Sequence, residues 1–170
     1  MKIAFLDTYT WDYTVETPYR QALGGTQSAI CYLAEALAAL GNEVFLLNNT
    51  SVSGMFRGVD CRRRKADAEN LELLRSLDFL VIVNIAGKAR QIKPLLGDRT
   101  KLILWIHNEP GFVFLENFKN STETDACDAL VFVSDWQRDR FHDLFGIRLN
   151  RCHVLRNAIA PCFANLFPDN

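Results

Sequence analysis

The sequence predicts an α/β fold, a Rossmann-like parallel sheet with helices on both faces, because apolar runs alternate with amphipathic stretches along the chain. Residues 2–6 form a near-continuous apolar run, which is typical of a strand buried on both faces. Residues 27–40 place leucines and an isoleucine at helical spacing, and Gly41 ends this helix. Residues 43–48 form a second apolar run, which completes a β-α-β unit.

The rest of the chain repeats this alternation. Four further apolar runs predict strands at 78–83, 101–106, 129–133 and 152–155. Amphipathic stretches predict helices at 69–77, 88–96, 121–127 and 134–146. The last helix has the clearest signals, since Ser134 and Gln137 fit a capping box and Gly146 fits a helix end. Its core-facing stripe is expected to consist of Trp136, Phe141, Leu144 and Phe145.

The composition is that of an ordinary globular protein, with 49% apolar and 23% charged residues among 170. The 19 basic and 20 acidic side chains nearly balance, so no overall field attracts nucleic acid, and no nucleic-acid partner is expected. The apolar stretch after Met1 ends at Asp7, which is too short for a signal peptide, and no run approaches the length of a membrane span. We therefore expect a cytoplasmic location.

The cysteine and histidine patterns argue against metal chemistry. Dispersed thiols without a Cys-x-x-Cys pair are typical of small buried side chains in a reducing compartment. The five cysteines are Cys31, Cys61, Cys127, Cys152 and Cys162. The three histidines lie on separate segments, and neither an Asp-x-Asp element nor a zinc-ligand spacing occurs. We therefore expect no metal and no other cofactor.

The loop after the first strand carries the first candidate site. It runs over residues 7–25 and ends in Gly24-Gly25-Thr26, directly before a helix. Glycines let the backbone approach a ligand closely, and a helix N-terminus presents unpaired N–H groups to an anion. The segment is a candidate phosphate site, although it is neither the dinucleotide fingerprint nor a P-loop. The alternative interpretation is a flexible turn followed by a helix cap at Thr26.

The same segment resembles the opening of the enzymes of glycosyltransferase family 4, which have the GT-B fold. That opening consists of a Gly-Gly loop, a helix that ends in a Leu-Ala-x-x-Gly-His-x-Val element, and a strand. Here Gly24-Gly25-Thr26-Gln27 leads into such a helix and strand, with Asn42 where many relatives have His. The resemblance implies that Gly24, Gly25 and Thr26 contact the substrate, with backbone N–H groups near the leaving phosphate.

A second matching feature follows the predicted strand 101–106, which is succeeded by His107, Asn108 and Glu109. In the resembling family a His at this strand end often reaches the donor sugar or the acceptor. The resemblance therefore implies that His107 is a catalytic residue that orients a sugar hydroxyl or the acceptor, and that Asn108 and Glu109 bind substrate. A hydrogen-bonded histidine at a strand terminus, without a role in catalysis, is the alternative.

Two later segments complete the resemblance. Residues 130–141 resemble the strand-Ser-helix segment of the family, where Ser134 also has a structural explanation as a helix cap. Residues 154–163 resemble the crossover V-x-x-N-G-V/I-D-x-x-x-F, but Ala158 replaces the usual Gly and Ala160 the usual Asp. We therefore expect residues 1–157 to form the acceptor-side domain and residues 158–170 to begin a crossover to a nucleotide-sugar-binding domain.

The resemblance implies transfer of a sugar from a nucleotide-sugar donor to a glycan, lipid-linked or small-molecule acceptor. It further implies retention of the anomeric configuration without a metal. The Glu-x7-Glu element and the basic diphosphate clamp of the family belong to the second domain, and neither is found in this chain. We therefore expect the 170 residues to fold but to turn over no donor sugar, and peripheral contact with the inner face of a membrane stays open.

Two further features have open interpretations. The basic run Arg62-Arg63-Arg64-Lys65 fits either an anionic partner or, more commonly, a solvated loop. Four apolar residues after His107 fit either an apolar lip for an acceptor or part of the core, namely Phe112, Phe114, Leu115 and Phe118. The acids Asp7, Asp12 and Glu16 share the first loop without a recognisable catalytic spacing.

Three other functions compete with sugar transfer. A non-catalytic Rossmann-like binding module or partner subunit would use the same fold without chemistry. A nicotinamide-dependent oxidoreductase is disfavoured because the Gly-x-Gly-x-x-Gly fingerprint is absent. A sugar-nucleotide epimerase of GT-B fold would differ from a transferase in its product.

Overall fold

The computed structural model describes residues 1–111, 118, 119 and 121–157. Eight strands occur in this part of the chain: β1 (Lys2–Leu6), β2 (Glu43–Asn48), β3 (Gly54–Phe56), β4 (Val59–Arg63), β5 (Phe79–Val83), β6 (Lys101–Ile106), β7 (Ala129–Phe132) and β8 (Cys152–Val154). The α-helices are α1 (Gly25–Ala39), α2 (Ala68–Ser76), α3 (Ala89–Ile92), α4 (Ser121–Asp125) and α5 (Asp135–Phe145).

The eight strands form one sheet in the order β3-β4-β2-β1-β5-β6-β7-β8. All neighbouring pairs are parallel except β3 and β4, which form an antiparallel hairpin at one edge. Strand β1 pairs with β2 on one side and with β5 on the other, so the strand order reverses at β1. The predicted α/β, Rossmann-like parallel sheet is confirmed, and ligand sites in such sheets lie at this reversal.

All six predicted strands are present, within one residue of their predicted ends. The hairpin of β3 and β4 was not predicted, because the sequence VDCRR of β4 has no apolar run and lies near the edge of the sheet. The predicted helix 88–96 is a short α-helix between two 3-10 turns, and Pro94 lies in the second turn. The basic run starts in this hairpin, since Arg62 and Arg63 belong to β4 and not to a loop.

Side chains that alternate along the strands build two cores on opposite faces of the sheet. One core packs residues of β1, β5 and β6 against α2, α3 and α5. The other packs the opposite faces of the same strands against α1 and the first loop, through Ile30, Ala34, Tyr13 and Val15. Helices therefore cover both faces, as the sequence predicts, and among the described α-helices α1 is the one that packs into the second core.

Several predicted core residues of the helices lie at the surface instead. Leu40 is 78% exposed because it follows the last turn of α1. In α5 the predicted stripe is divided: Phe141 is buried against Phe118 and Phe132, whereas Trp136 is 67% and Leu144 is 49% exposed. The interpretation of Trp136 and Leu144 as core residues was therefore wrong. The face of α5 that is buried is narrower than the stripe of apolar residues in its sequence.

Candidate functional site

The carboxyl ends of β1, β5 and β6 lie side by side at one edge of the sheet. The first loop follows β1, Asn84 follows β5, and His107 follows β6. Adjacent strands are about 4.8 Å apart, so the ends of β1 and β6 are separated by about 10 Å. The two sequence segments that carry the predicted site, around Gly24 and around His107, are thus brought to the same edge at the strand reversal.

Asp7 fixes the start of the first loop. Its side chain is 1% exposed and accepts hydrogen bonds from the Tyr13 hydroxyl (2.7 Å), the Gln27 Nε2 (3.1 Å) and the Tyr9 backbone N–H (3.0 Å). Hydrogen bonds to a carboxylate are the stronger kind, and three of them offset its burial. Asp7 therefore ties β1 to the loop and to the first turn of α1. In the sequence this role is indicated only weakly, by an acidic residue directly after a buried strand.

Tyr13 extends the same network across the loop. Burial, and then the neighbouring charge of Asp7, raise the pKa of Tyr13 well above its usual value, so its hydroxyl stays a donor. The Tyr13 carbonyl accepts a 2.7 Å hydrogen bond from Asn48 Nδ2, at the end of β2. The loop between β1 and α1 is thus anchored at the ends of two neighbouring strands.

Gly24 and Gly25 open α1 in different surroundings. Gly24 is the N-cap, at φ −62° and ψ 149°, and no side chain caps the first turn. A Cβ at Gly24 would come within 2.7 Å of the Trp11 ring and 2.8 Å of Gln27 Oε1. A Cβ at Gly25 would meet nothing within 4 Å. The first-turn N–H groups that the phosphate prediction needs are thus not taken by a side-chain cap, and the alternative of a cap at Thr26 is wrong because Thr26 lies inside the helix.

His107 is held by its backbone rather than by its ring. Its N–H donates a 2.7 Å hydrogen bond to Asn84 Oδ1, and the Asn84 N–H donates to the Trp105 carbonyl at 3.0 Å. Asn84 is buried and has φ +56°, a conformation that asparagine tolerates better than most residues. The His107 ring meets the Trp105 ring edge-on, with 4.3 Å between centroids.

The His107 imidazole is neutral near pH 7. Burial lowers its pKa from 6.5 to about 4, because desolvation disfavours the charged ring. Two buried nitrogens here have no hydrogen-bond partner among the described residues, His107 Nε2 and Trp105 Nε1. The alternative interpretation, a histidine whose ring is hydrogen-bonded within the protein, therefore does not hold for Nε2. A buried nitrogen without a partner, close to the strand reversal, is a candidate contact for a ligand group.

Asn108 and Glu109 lead from His107 towards α5. The Asn108 carbonyl accepts a 2.9 Å hydrogen bond from Gln137 Nε2, and Gln137 Oε1 accepts another from the Val133 N–H. Ser134 caps α5 by accepting from the Gln137 N–H, so half of the predicted capping box is present, while the Gln137 side chain holds two loops together instead. Glu109 lines a separate cleft, together with Lys119, Trp136 and Arg140.

The remaining charged candidates have partners of their own. Asp12 accepts from the Ser51 N–H at 2.8 Å, and Glu16 pairs with Arg20 at 2.8 Å. Arg62 pairs with Asp60 and Glu69, which neutralises the start of the basic run. Arg64 reaches the Thr8 carbonyl at 3.4 Å. Of the four apolar residues after His107, Phe118 is buried in the core, and 112–117 lie outside the described residues.

The described cysteines lack the properties of nucleophiles. Cys31, Cys61 and Cys127 are buried, and Cys152 is half-buried. Burial raises the pKa of Cys61 to about 11 and of Cys127 to about 12, so both stay thiols. Within the described ranges, no three His, Cys, Asp or Glu side chains cluster so as to hold a metal ion. Cys162, Ala158 and Ala160 lie outside the described residues.

No protein-family model matches the sequence, and no curated protein matches it. Solved structures do match. A glycosyltransferase from Rickettsia africae ESF-5 aligns with a TM-score of 0.62 at 14% identity, over 98% of this chain and 46% of that protein. WaaG, described as a glycosyltransferase involved in lipopolysaccharide biosynthesis, aligns with a TM-score of 0.55 at 14% identity, over 94% and 46%.

These two likenesses show a shared fold: the chain has the same α/β architecture as part of each of these two proteins. The chain spans less than half the length of either glycosyltransferase. No helix in the described part of the chain combines the length and the apolar character that crossing a bilayer requires.

Proposed function

We propose that this chain is the acceptor-side domain of a glycosyltransferase that uses a nucleotide-sugar donor. The observation that supports this most is the position of the Gly24-Gly25 turn and of His107 at the same edge of the sheet, next to the strand reversal, in a fold shared with two glycosyltransferases. Open α/β sheets bind their ligands at this edge. The order of motifs in the sequence, from the Gly-Gly loop to the crossover, supports the same assignment to glycosyltransferase family 4 and the GT-B fold.

In this proposal the first turn of α1 stabilises the leaving phosphate. The first four N–H groups of a helix lack intrahelical partners, and the helix dipole favours negative charge at this end. Charge on the diphosphate grows as the glycosidic bond breaks, so N–H donors fixed in advance favour the transition state over the ground state. Gly25 is open to a ligand, while the network around Asp7 keeps the turn in place.

His107 acts in this proposal as a neutral hydrogen-bonding group. Its low pKa keeps the ring uncharged near pH 7, and its unpaired Nε2 can accept from or donate to a sugar hydroxyl, depending on the tautomer. Asn84 fixes the His107 backbone and the ring packs edge-on against Trp105, so the side chain loses little freedom when the substrate binds. His107 therefore positions a hydroxyl of the donor or the acceptor, with Asn108 and Glu109 on the adjoining loop.

The finer parts of the proposal concern stereochemistry, metal and partners. We expect a retaining, metal-independent reaction, with most of the nucleotide bound by a second domain that carries the diphosphate clamp. The acceptor is a glycan, a lipid-linked glycan or a small molecule, and a cytoplasmic location with peripheral contact at the inner face of a membrane fits this chemistry. Transfer that persists in EDTA, with an unchanged anomeric configuration by NMR, supports these parts, and inversion or loss of activity in EDTA contradicts them.

The test of the function compares two histidines in the protein produced from its complete natural reading frame. His107→Gln removes the half-buried ring at the end of β6, whereas His153→Gln changes an exposed histidine on β8. Transfer from radiolabelled nucleotide sugars is measured for both variants and the unmodified protein. We expect His107→Gln to lower kcat/KM about 100-fold, the effect of losing one positioned group, and His153→Gln to leave it within about twofold.

Equal activity of the two variants would remove His107 from the site. Binding of nucleotide sugars without turnover, under every condition that keeps the protein folded, would favour the non-catalytic binding module. Conversion of one nucleotide sugar into another would identify an epimerase.

A further inference from the structure

A cleft of about 430 Å³ lies beside the Gly24 turn, and neither the phosphate site nor His107 uses its side chains. All the described residues that line it belong to the first loop or its end: Trp11, Asp12, Gln21, Ala22, Leu23 and Gly24. The lining residues therefore include an aromatic residue, an acidic residue and a residue with a side-chain amide. The cleft lies at the carboxyl end of β1, where this fold binds ligands.

Trp11 presents an aromatic surface that is fixed and still accessible. Its six-membered ring lies over the Gly24 backbone, since a Cβ there would be 2.7 Å from Cζ3 and 2.9 Å from Cη2. Tyr9 meets the ring edge-on at 6.1 Å between centroids. The side chain nevertheless remains 46% exposed. A tryptophan held in place with half of its surface in water keeps unfavourable apolar exposure, which a ligand with an apolar face relieves.

Asp12 and Gln21 supply hydrogen-bonding groups at the wall of the cleft. Hydrogen bonds from Ser51 hold the pKa of Asp12 below its usual value, so the carboxylate is ionised and its position is fixed. Gln21 is exposed and offers both a donor and an acceptor from one planar amide. Carboxylates and amides of this kind engage adjacent hydroxyl groups of a ligand.

The loop that carries these groups is held in shape without a ligand. Asp7 binds the side chains of Tyr13 and Gln27, and Asn49 Nδ2 donates to the Thr10 carbonyl at 2.7 Å. These hydrogen bonds within the chain fix the conformation of the loop. Ligand binding therefore does not have to offset the entropy of fixing it.

We infer that this cleft is a carbohydrate-binding subsite in which the apolar face of a pyranose ring stacks on Trp11 while its hydroxyls bind Asp12 and Gln21. A nucleotide suits the cleft poorly, because no Lys or Arg is among the described lining residues and the Asp12 carboxylate repels phosphate. Identification of this sugar as the acceptor rests on the proposed function: Gly24 belongs both to the cleft wall and to the phosphate turn, so the stacked sugar lies next to the leaving group.

The subsite is tested by saturation-transfer NMR and tryptophan fluorescence on the whole chain. The probes are the methyl pyranosides of glucose, galactose and mannose, N-acetylglucosamine, the acyclic polyol sorbitol, and uridine monophosphate. We expect at least one pyranoside to bind in the millimolar range, sorbitol to bind far more weakly, and uridine monophosphate not to compete. We expect Trp11→Ala to weaken pyranoside binding about three- to tenfold, Trp11→Phe to retain most of it, and Asp12→Asn to weaken it as well.

Met55→Ala is the control, because Met55 is also an exposed apolar side chain but lies on β3 and lines neither this cleft nor the one that contains Glu109. The inference is overturned if no pyranoside binds, if Trp11→Ala leaves binding unchanged, if Met55→Ala weakens binding equally, or if uridine monophosphate competes for the cleft. Failure here differs from failure of the proposed function. If His107→Gln abolishes transfer but Trp11 has no effect on sugar binding, only the subsite is contradicted. If sugar binding depends on Trp11 but transfer does not depend on His107, only the catalytic proposal is contradicted.

Discussion

Neighbouring glycines at positions 24 and 25 serve different physical purposes. At Gly24 the missing side chain makes room for the Trp11 ring and for Gln27 Oε1, whereas at Gly25 the space beyond the backbone is open. The first glycine is therefore explained by packing within the chain. Only the second has open space where a side chain would stand, so the pair combines a residue required for packing, whose backbone also lines the cleft beside Trp11, with a residue that is open to a ligand.

Gly24→Ala and Gly25→Ala form a matched pair that tests this distinction. The first introduces contacts under 3 Å and is expected to lower the free energy of unfolding by about 1–3 kcal/mol. The second adds a methyl group in open space at the start of a helix and is expected to change stability by less than about 1 kcal/mol, in the stabilising direction. Urea denaturation of both variants measures the difference. Equal effects would mean that Trp11 does not pack over Gly24.

The pKa of His107 predicts a pH dependence of stability. The ring titrates at about 4 in the folded protein and near 6.5 when unfolded, so between these values only the unfolded state binds the proton. The neutral His107 ring therefore makes its full contribution to the free energy of unfolding above pH 6.5, and this contribution falls as the pH drops towards 4. Between pH 6.5 and pH 4 the free energy of unfolding is expected to fall by about 2–3 kcal/mol because of this ring.

NMR titration of the His107 ring protons measures the midpoint directly, and denaturation across the pH range measures the linked stability. Carboxylates also titrate in this range, so His107→Gln is the reference: subtracting its curve leaves the contribution of the ring. A midpoint near 6.5, or parallel stability curves for the two proteins, would show that the ring is solvated.

At the scale of the elements, the ends of β5 and β6 depend on one asparagine. Asn84 follows β5 at φ +56°, and it receives the His107 N–H while donating its own N–H to Trp105. The clamp makes the positions of both strand ends depend on each other. A sequence pattern does not reveal this, because the partners are 23 residues apart and come together only when β5 and β6 pair.

Two substitutions of Asn84 separate the hydrogen bond from the backbone conformation. Asn84→Gly loses the acceptor but tolerates positive φ, and should lower the free energy of unfolding by about 1–2 kcal/mol. Asn84→Ala loses the acceptor and also strains the backbone, so it should cost about 1 kcal/mol more. Hydrogen exchange at the His107 amide should accelerate in both variants. An Asn84→Ala protein as stable as Asn84→Gly would contradict the strained conformation.

The elements that the sequence predicted best are those whose signals are local. A buried parallel strand can be identified from its apolar run alone, without knowledge of the strands beside it. The caps of α5 at Ser134 and Gly146 were predicted because a helix cap depends on adjacent residues. The hairpin of β3 and β4 has polar residues near the sheet edge and was missed. Trp136 was assigned to the core because its spacing fits an apolar stripe, but only packing decides how wide a buried stripe is.

At the scale of the whole molecule, the described helices cover the two faces of the sheet unequally. Strands β5 to β7 and α1 border an apolar groove of about 240 Å³ on the α1 side, lined in part by Val81, Ile103 and Val131, which are only half-buried. Three of the described helices, α2, α3 and α5, pack against the opposite face. The asymmetry follows from the order of the elements, because among the described α-helices α1 is the one that packs into this second core.

For the whole chain we predict binding without turnover. The 170 residues hold the candidate acceptor-side groups, but no basic diphosphate clamp was recognised in the sequence. The purified chain should therefore release no nucleoside diphosphate from nucleotide sugars above the rate of spontaneous hydrolysis. A coupled assay for the diphosphate measures this, with His107→Gln as the control for contaminating activity. Steady release that depends on His107 would show that this chain alone is catalytically competent.

The sequence by itself determined the fold class, the six main strands and the two segments that could carry a site, because apolar periodicity, glycines and caps are local signals. Only the tertiary structure decided which groups meet. The pairing of β1, β5 and β6 brings Asp7, Asn84 and His107 to one edge, buries the His107 ring so that it stays neutral, and lays Trp11 over Gly24. The physical reason is that pKa values, desolvation and ring packing depend on neighbours that are distant in sequence, and only the paired sheet brings those neighbours together.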